Sequence, residues 1–468
     1  MAQAGRGRGS HVSSYEAVLV RLEKQFSLGQ EQLQRLVRHL VKQFRHGLSS
    51  DDHILKMVPT YVTELPSGKE QGSFMALDVG GSNFRVCEFI LEGNGVVRSN
   101  QRKYVISDVL KNSPVETLFD FFAECVETFL VEIKAKGSDY PMPTELGFTF
   151  SFPVHQTALD AGTLVQWNKG FTCPGAIGQD VTQLLRDAFT RRNIVMNVTA
   201  LVNDTTGTLM AHAYTNPETY VAVILGTGTN AAYVEKLSHV PKCVLAGDGG
   251  PATPEYMIIN TEWGAYDEET VLPITSYDQT LDRNSTNPKS QILEKMMSGM
   301  YLGEIVRLVI VDLISTGHLF HGVSLPALAV PFSFETANLS RIERDHAIDL
   351  SDTRTVLETL YKASNTTLQD RQIVKLVCEL VGKRSARLAA AGIAAVVTKM
   401  NRFNGCTVAI DGSLFEHYPH YANRMQDTLR EILGIAAENI VLEQSRDGSG
   451  KGAAIIAAVH SLKKGVLA

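Results

Sequence analysis

The chain has 468 residues, of which 44% are hydrophobic and 20% are charged. This length exceeds what one ordinary hydrophobic core supports, so we expect at least two domains in a soluble globular protein. The 44 basic and 50 acidic residues leave a formal net charge of −6. Such a balance does not favour nucleic acid or an acidic membrane surface as a partner.

The cysteines are scattered and show no CxxC spacing, at Cys87, Cys125, Cys173, Cys243, Cys378 and Cys406. This pattern argues against a zinc site and against a disulfide framework, and reduced thiols indicate a cytoplasmic protein. The start of the chain, Ala4–Gly9, is rich in glycine and arginine, and we predict a disordered tail over residues 1–14. No apolar segment suggests a signal peptide or a membrane span.

The first amphipathic segment follows Ser27-Leu-Gly-Gln30, a capping-box pattern that predicts the start of a helix. Apolar residues recur behind it at helical spacing, namely Leu33, Leu36, Val37, Leu40, Val41 and Phe44, and Gly47 ends the run. Basic residues fill the other face at Arg35, Arg38, Lys42 and Arg45. Such a face can bind a membrane or calmodulin, but we favour the solvated face of a packed surface helix.

Strands and helices then alternate along the chain, which predicts an α/β fold. The predicted strands are 73–78, 84–90, 145–150, 220–225, 231–234 and 406–411. The predicted helices are 113–136, with Pro114 as its first residue, 181–191, 292–315, 370–400 and 450–462. Glycine turns join strands after Asp78 and after Leu225, and this repeated layout indicates a weak internal duplication.

One segment, Ala200–Leu209, brings a carboxylate to the end of an apolar strand. The strand-like residues end at Asp204, which is followed by Thr205-Thr206-Gly207. An acid there is poorly placed for a hydrophobic core and well placed for chemistry. Because glycine turns lie upstream and downstream, the segment suggests an acid beside a phosphate donor.

The first candidate phosphate turn is Asp78-Val-Gly-Gly-Ser-Asn83. Paired glycines let backbone N–H groups approach an anion closely, and Ser82 and Asn83 add donors. Asp78 would hold a magnesium ion through water, and Arg85 would offset phosphoryl charge. Taken alone, the pattern is explained equally well by a tight hairpin that uses glycine for its positive φ.

Two further turns follow strands, at Gly226-Thr-Gly-Thr-Asn230 and at Asp411-Gly-Ser413. The first also has the spacing of a dinucleotide fingerprint, but that motif needs a helix directly after the glycines, and 231–234 is predicted to be extended. Gly448-Ser-Gly-Lys-Gly452 resembles a P-loop only superficially, because its first glycine and its magnesium-binding hydroxyl are missing. Three such turns and the acid at Asp204 together favour a kinase that binds nucleotide phosphates.

Several polar side chains suit a ligand with many hydroxyl groups: Ser151, Asn203, Asp204, Glu262 and Glu294. Carboxylates and amides accept and donate in fixed directions, so such a site rejects ligands that leave its polar groups unpaired. Any one of these residues is more often an ordinary surface or helix residue, so each acid alone identifies no ligand.

The segment Leu146-Gly-Phe-Thr-Phe-Ser-Phe-Pro153, followed by Leu164-Val-Gln-Trp-Asn-Lys-Gly-Phe171, resembles the sugar-binding signature of the hexokinase family. Other segments are similar to that family in the same order: Leu77–Arg85, Leu201–Leu209, Ile224–Ala231, Ile258–Asp267, Glu294–Gly303 and Val408–Phe415. The resemblance covers residues 20–462, and the length is that of the single-unit hexokinases and glucokinases of fungi and protists.

The resemblance implies the actin-like ATPase, ribonuclease H-like, α/β fold, with a small and a large domain closing over a cleft. The small domain would span 73–202 and the large domain 203–468, with N-terminal helices over 15–72 packing on the large domain and a C-terminal helix returning toward the small one. It also implies phosphorylation of the 6-hydroxyl of a hexose, most simply D-glucose, by ATP with Mg²⁺, the first step of glycolysis.

By the same resemblance, Asp204 is the catalytic base, assisted by Lys169 and Arg85. The residues implied at the sugar are Ser151, Asn168, Lys169, Asn203, Asp204, Asn230, Glu262 and Glu294. Those implied at the phosphates or elsewhere on the nucleotide are Asp78, Gly80, Gly81, Ser82, Asn83, Arg85, Thr227, Gly228, Thr336, Gly412 and Ser413. The magnesium ion would be held by Asp78 through water.

Two positions depart from the family pattern. Asn168 stands where the signature has threonine, and its longer side chain lacks the methyl group, so we expect an effect on sugar affinity or epimer preference. Ser82 also replaces threonine and keeps the hydroxyl group, so we expect little effect there.

Two alternatives use the same scaffold. A non-catalytic glucose sensor would keep the fold, but the presence of Asp204, Lys169 and the phosphate turns favours catalysis. An actin-like or chaperone ATPase would lack the sugar segment between Phe148 and Lys169. The partners expected are therefore a hexose and ATP, without nucleic acid or membrane, for a monomer or homodimer.

Overall fold

The computed structural model describes residues 14–81, 83–137, 139–243 and 254–467. Within them the chain divides into two compact units. Unit 1 comprises Met1–Val37, Gly264–Gly392 and His417–Ile432, and unit 2 comprises Arg38–Trp263, Ile393–Glu416 and Leu433–Ala468. The tail predicted over 1–14 lies outside the described residues except for its last residue, and Ser82 also lies outside them.

The α-helices are α1 (Ser14–Phe26), α2 (Gln30–Ser49), α3 (Asp108–Lys111), α4 (Val115–Lys136), α5 (Val181–Arg191), α6 (Asp204–Ala213), α7 (Ser276–Asn284), α8 (Ile292–Met297), α9 (Gly299–Ser315), α10 (Pro326–Ala329), α11 (Thr336–Glu343), α12 (Ser351–Leu360), α13 (Leu368–Met400), α14 (Ser413–His417), α15 (Tyr421–Leu433) and α16 (Gly448–Leu467). The strands are β1 (Val58–Pro59), β2 (Gln71–Val79), β3 (Asn83–Gly93), β4 (Val96–Val105), β5 (Glu145–Phe150), β6 (Val154–Ala158), β7 (Ala161–Leu164), β8 (Asn197–Val202), β9 (Thr219–Leu225), β10 (Thr229–Lys236), β11 (Tyr256–Asn260), β12 (Cys406–Asp411) and β13 (Ile440–Gln444).

Unit 2 contains two larger sheets. The five-stranded sheet has the order β4-β3-β2-β5-β8, and the six-stranded sheet has the order β1-β11-β10-β9-β12-β13. In each sheet an antiparallel hairpin lies beside a parallel strand: β2–β3 beside β5, and β9–β10 beside β12. The predicted repeat of the strand–turn–strand layout is confirmed, and the extended β10 excludes the dinucleotide motif.

Two hydrophobic clusters are found among the described residues of unit 2. An aromatic cluster that includes Phe84, Phe119, Phe122 and Phe148 is fully buried. A second cluster of mostly small residues joins side chains of both sheets to α6 and α16. Helices with small apolar residues can approach a sheet closely, so this second core fixes α6, the helix that follows β8, against α16.

Glycines permit the contact between α6 and α16. A Cβ atom built on Gly452 would lie 1.8 Å from the carbonyl oxygen of Gly207 in α6. A Cβ atom on Gly147 in β5 would lie 2.2 Å from the carbonyl oxygen of Ala453. The segment Gly448–Gly452 therefore begins a closely packed helix. This confirms that its resemblance to a P-loop is superficial.

Unit 1 contains long helices held by buried ion pairs. Arg384 of α13 is fully buried and donates to both carboxylate oxygens of Asp278 in α7, each at 2.7 Å. In α9, Arg307 donates to Oε1 of Glu304 at 2.6 Å and to Oε2 at 2.7 Å. Charges buried in this way need a partner of opposite sign with good geometry. The Arg384–Asp278 pair joins α13 to α7, whereas the Arg307–Glu304 pair lies within α9.

Three predicted boundaries are wrong. Ser27 does not cap α2, because its amide donates to the carbonyl of Glu23 and closes the preceding helix, while Gln32 accepts from the amide of Gly29. The segment 292–315 is two helices, because Ser298 is extended with φ −91° and ψ 156°. Pro114 is the N-cap of α4 rather than its first residue, since its ψ of 145° is not helical.

The amphipathic pattern of α2 is confirmed. The apolar residues at helical spacing are buried, among them Leu33, Leu40 and Phe44, whereas the four basic residues are exposed. This is the solvated face of a packed helix. Among the helices of the described residues, none combines the length and apolar character needed to cross a membrane.

Candidate active site

Acidic side chains of unit 2 line a cavity at the carboxyl ends of parallel strands. Asp78 lies near the end of β2, Asp204 follows β8, and Asp411 ends β12. The cavity has a volume of about 230 Å³ and is lined by Asp78, Ser151, Asp204, Thr208, Ile224, Asp411, Gly412 and Ser449. Ligands of α/β proteins bind at this edge of a sheet, so the cavity is the candidate active site.

Asp204 is the first residue of α6, which the sequence pattern alone did not predict to be helical. Asn203 caps the helix, because its side chain accepts from the amide of Thr205 at 2.9 Å. Oδ1 of Asp204 accepts from the same amide at 2.8 Å and from the hydroxyl group of Thr205 at 3.2 Å. The carboxylate is therefore held at a helix N-terminus, where negative charge is favoured.

The environment of Asp204 makes it a stronger base than a carboxylate in water. Burial raises the pKa of Asp204, whereas Lys169 and the hydrogen bonds from Thr205 lower it, and the charge of Asp78 adds to the rise. The net result is a raised pKa. A carboxylate of this kind is suited to accept a proton near neutral pH.

Lys169 lies in the loop that follows Trp167, close enough to Asp204 for its charge to lower the pKa of that carboxylate. Its Nζ donates to the carbonyl of Ser151 at 2.6 Å. Lys169 has a φ of 55°, and a Cβ atom on Gly81 would lie 3.1 Å from the Cβ of Lys169. The structure thus brings Ser151, Lys169 and the glycine turn after β2 together.

The loop that carries Asn168 is anchored by aromatic residues. The ring of Trp167 lies 5.0 Å from Phe152 and 5.2 Å from Phe171, and its Nε1 donates to the carbonyl of Cys173 at 2.9 Å. Asn168 itself is exposed, and its carbonyl accepts from the amide of Phe171 at 3.1 Å. Its backbone is therefore fixed while its side chain faces solvent.

Arg85 faces carboxylates across the β2–β3 hairpin. Its Nε donates to Oδ2 of Asp78 at 3.1 Å, a second nitrogen also donates to this oxygen, and Nη1 donates to Oδ1 of Asp447 at 3.1 Å. Burial alone would lower the pKa of Arg85, but the two carboxylates raise it above its ordinary value. The guanidinium is held beside the carboxylate of Asp78. Of Asn83 the backbone alone is described.

The two downstream turns lie against each other. Thr227 and Gly228 occupy the β9–β10 turn, which the amide of Gly226 closes by donating to the carbonyl of Gly228 at 3.0 Å. Gly412 has a φ of 127°, and its Cβ would lie 2.3 Å from the carbonyl of Leu225. The glycine is thus required by close backbone approach, and it leads directly into Ser413, the first residue of α14.

Asn230 and Glu262 are joined by a residue that the sequence did not single out. Nδ2 of Asn230 donates to Oδ1 of Asn260 at 2.8 Å and to Oε1 of Glu262 at 3.1 Å. Nδ2 of Asn260 donates to the same carboxylate oxygen at 2.7 Å. Three polar side chains on β10, β11 and the turn after β11 form one network.

Two predicted site residues belong to unit 1. Glu294 lies in the first turn of α8. Thr336 begins α11, where its hydroxyl group donates to the carbonyl of Gly299 at 2.6 Å and accepts from the amide of Gly303 at 3.1 Å. A Cβ atom on Gly303 would lie 1.8 Å from the carbonyl of Phe334, so α9 holds the start of α11 tightly.

The residues at or beside the site that were missed include Asp411, Asp447, Asn260 and Ser449. Asp411 has the signal that revealed Asp204, an acid at the end of an apolar strand before a small polar residue, and it could have been found in the same way. Burial raises its pKa, as do the charges of Asp447 and Asp204. The other three have no distinctive local pattern.

The donors of the site suit a hydrated cation. Among the described residues, no three histidine, cysteine, aspartate or glutamate side chains are grouped to hold a metal ion directly. The cavity nevertheless presents carboxylate oxygens, the donors that Mg²⁺ prefers, and this ion usually keeps several waters.

Comparison with known proteins gives the same family along the whole chain. Two family models, both described as hexokinase, match residues 18–214 and 220–459. Hexokinase-1 of Nicotiana tabacum is 42% identical over 95% of this chain and 91% of its own length. The hexokinase of Kluyveromyces lactis is 40% identical over 93% of this chain and 90% of its own length.

Solved structures agree. A hexokinase from Schistosoma mansoni, complexed with glucose, has a TM-score of 0.83 at 38% identity and covers 95% of this chain and all 100% of its own. A second hexokinase crystal structure has a TM-score of 0.80 at 32% identity, with 96% and 100% covered. The chain therefore belongs to the hexokinase family, has its actin-like ATPase fold, and is an enzyme that phosphorylates a hexose with ATP.

Proposed function

We propose that the hexose is D-glucose and that its 6-hydroxyl receives the γ-phosphoryl group of ATP, giving glucose 6-phosphate and ADP. The observation that carries the proposal is Asp204, a partly buried carboxylate of raised pKa that lines the cavity near Lys169. The similarity to a hexokinase solved with glucose supports the choice of sugar.

Asp204 accepts the proton of the 6-hydroxyl as the bond to phosphorus forms. Lys169 lies close enough to lower the pKa of Asp204, so its charge also stabilises negative charge on the reacting oxygens. Ser151 fixes Lys169 through its carbonyl, at 2.6 Å. Because phosphoryl transfer depends mainly on positioning and charge neutralisation, these contacts place the nucleophile rather than activate it strongly.

The sugar is bound by amide, hydroxyl and carboxylate groups. We assign this role to Ser151, Asn168, Lys169, Asn203, Asp204, Asn230, Glu262 and Glu294. Such groups accept and donate in fixed directions, so each sugar hydroxyl has a defined partner. The network joining Asn230 to Glu262 supports this assignment, because hydrogen bonds among its members orient their polar groups.

The phosphates of ATP are bound by the glycine turns. We assign to them Gly80, Gly81, Ser82, Asn83, Thr227, Gly228, Gly412 and Ser413, with Thr336 nearer the rest of the nucleotide. Asp78 would hold Mg²⁺ through water, and Arg85, which contacts Asp78, keeps that carboxylate in place and adds positive charge. The ion supplies charge neutralisation at the phosphates when it is bound.

The reaction product suggests a metabolic role, and the free thiols suggest a cellular location. A hexose 6-phosphate is the first intermediate of glycolysis, and we propose this role for the chain. All six cysteines lie in the described residues as free thiols, which supports a cytoplasmic location. The domain boundary between residues 202 and 203, and assembly as a monomer or homodimer, stay predictions.

A coupled assay of sugar-dependent ADP release tests the proposal. The wild-type chain with Mg²⁺ and ATP should release ADP when glucose is added, and the sugar should be recovered phosphorylated at its 6-position. A non-catalytic glucose sensor would bind glucose without this release. Release of ADP with fructose or mannose alone would contradict the choice of glucose while leaving the hexokinase reaction in place.

A further inference from the structure

The orientation of the Asn230 amide is fixed by the backbone. Its Oδ1 accepts from the amides of Ala231 at 2.8 Å and Glu262 at 3.1 Å. Backbone amides donate and never accept, so the oxygen of Asn230 must face them. Its NH₂ group consequently points the other way, towards Asn260 and Glu262.

This orientation determines that of Asn260. The NH₂ group of Asn230 requires an acceptor at 2.8 Å, so Asn260 must present its Oδ1 there. The Nδ2 of Asn260 then faces Oε1 of Glu262 at 2.7 Å. Asn260 is only 5% exposed, so water cannot readily replace it in this chain of bonds.

Glu262 needs such support because its backbone is strained. It has a φ of 53°, in the left-handed region, which residues other than glycine, asparagine and aspartate rarely adopt. The neighbouring Trp263 is fully buried and donates from Nε1 to the hydroxyl group of Thr229 at 3.0 Å. Packing fixes the backbone of this turn, and two amide donors on one oxygen fix the rotation of the carboxylate.

We propose that Asn260 is a positioning and specificity-determining residue of the hexose site. This proposal rests on the proposed function, in which Asn230 and Glu262 bind the sugar. Asn260 accepts from Asn230, whose amide is oriented by the backbone, and donates to the carboxylate of Glu262. Glu262 is thereby held as an acceptor for one particular sugar hydroxyl. Without Asn260 the carboxylate would rotate and lose its preference for that hydroxyl group.

The test compares Asn260→Ala, Asn260→Asp and Glu262→Ala with the wild type, using glucose and the set of its monodeoxy analogues. Loss of a hydrogen bond to a charged group should raise the KM for glucose roughly tenfold to a hundredfold. Because sugar binding rather than chemistry is affected, kcat should change by less than about threefold and the KM for ATP should be unchanged. Asn260→Asp keeps the volume and the acceptor but removes the donor, so it should show the same effect if Asn260→Ala fails to fold.

The decisive measurement is the pattern among the analogues. The wild type should discriminate most against the analogue that lacks the hydroxyl bound by Glu262, and Glu262→Ala should lose that discrimination. The inference requires the Asn260 variants to lose it at the same analogue. A uniform loss for all analogues, or a glucose KM within about twofold of the wild type, would overturn it.

Asn216→Ala is a matched control. Asn216 is another asparagine of unit 2, and its Nδ2 donates to Oε2 of Glu443 at 3.1 Å. It precedes the first residue of β9, whereas Asn230 follows the last residue of that strand. It should lower the melting temperature without changing the KM for any sugar. Absence of glucose-dependent ADP release in the wild type, or an unchanged KM in Glu262→Ala, would overturn the proposed function, and this inference with it. If Glu262→Ala raises the KM for glucose and the Asn260 variants leave it unchanged, this inference alone is overturned.

Discussion

Replacing Asp204 by asparagine tests its proposed role as a base. The amide keeps an oxygen that can accept from the backbone and hydroxyl group of Thr205, so the start of α6 should be preserved. What is lost is the negative charge and the ability to take up a proton. Loss of a general base costs about 10² to 10⁴ in turnover, or roughly 3–5 kcal/mol in activation free energy. Asp204→Ala should likewise lose at least about a hundredfold while still binding glucose.

The pKa of Asp204 predicts two opposite effects of pH. Turnover requires the ionised form, so it should fall as the pH drops through the raised pKa of the folded state. Stability has the other sign: the folded state favours the protonated form, so this group's contribution is lost as the pH rises through that pKa. Asp204→Asn should therefore melt at or above the wild-type temperature at neutral pH while being nearly inactive.

The assay is glucose-dependent ADP release, with glucose binding measured by calorimetry and with thermal melts over a pH series that begins near the ordinary pKa of an aspartate and ends above neutral pH. Asp180→Asn is the control, because Asp180 also accepts from helix amides, at 2.8 Å from Thr182, but caps α5 away from the cavity. It should keep turnover within about twofold, since asparagine is an equally good cap. Near-normal turnover of Asp204→Asn or Asp204→Ala would refute the assignment of the base.

Asn168→Thr should change the KM for glucose more than kcat. Both constants are measured with glucose, mannose and fructose, and unchanged values for all three would exclude this position from the sugar site. Gly452→Ala should prevent stable folding or lower the melting temperature strongly, because its Cβ would lie 1.8 Å from a carbonyl oxygen of α6. Gly450→Ala in the same helix meets no atom closer than 3.7 Å and should be neutral or stabilising, so equal melting temperatures would contradict the contact. Glu304→Gln leaves a buried arginine without a charged partner and should cost about 3–5 kcal/mol of unfolding free energy in urea titrations. Asp352→Asn, in an exposed ion pair, should cost less than about 1 kcal/mol, and similar losses for both would argue against the buried pair.

The hairpins and the catalytic segment could be predicted because their signals are local. Glycine pairs between strands predicted both hairpins, and an acid at the end of an apolar strand singled out Asp204. The helix beginning at Asp204 was not foreseen, since threonines and a glycine are weak helix formers and tertiary packing against α16 stabilises it. Helix existence was more predictable than helix ends. The break at Ser298 has a local signal in the Ser298-Gly299 dipeptide, but the apolar residues on both sides favoured one continuous helix.

The missed residues have contacts with partners that are distant in the sequence. Asn260 precedes Glu262 by two positions, an ordinary place for a strand residue, and it becomes informative only when Asn230 on the neighbouring strand lies beside it. Asp447 likewise acquires its partner, Arg85, from a hairpin formed much earlier in the chain. Local sequence patterns predict secondary structure and turns. Such contacts arise instead from the register of strands that are far apart in the sequence, which local patterns do not contain.

The close backbone contact between α6 and α16 has a consequence for biosynthesis. The helix that carries Asp204 is translated long before α16, which follows every other helix and strand of the described chain. Until α16 emerges from the ribosome, Gly207 of α6 and the core around it lack the helix that packs closely against them. We therefore expect a nascent chain to carry the residues proposed to bind the hexose but no rigidly held Asp204, so activity should appear only after α16 has emerged from the exit tunnel.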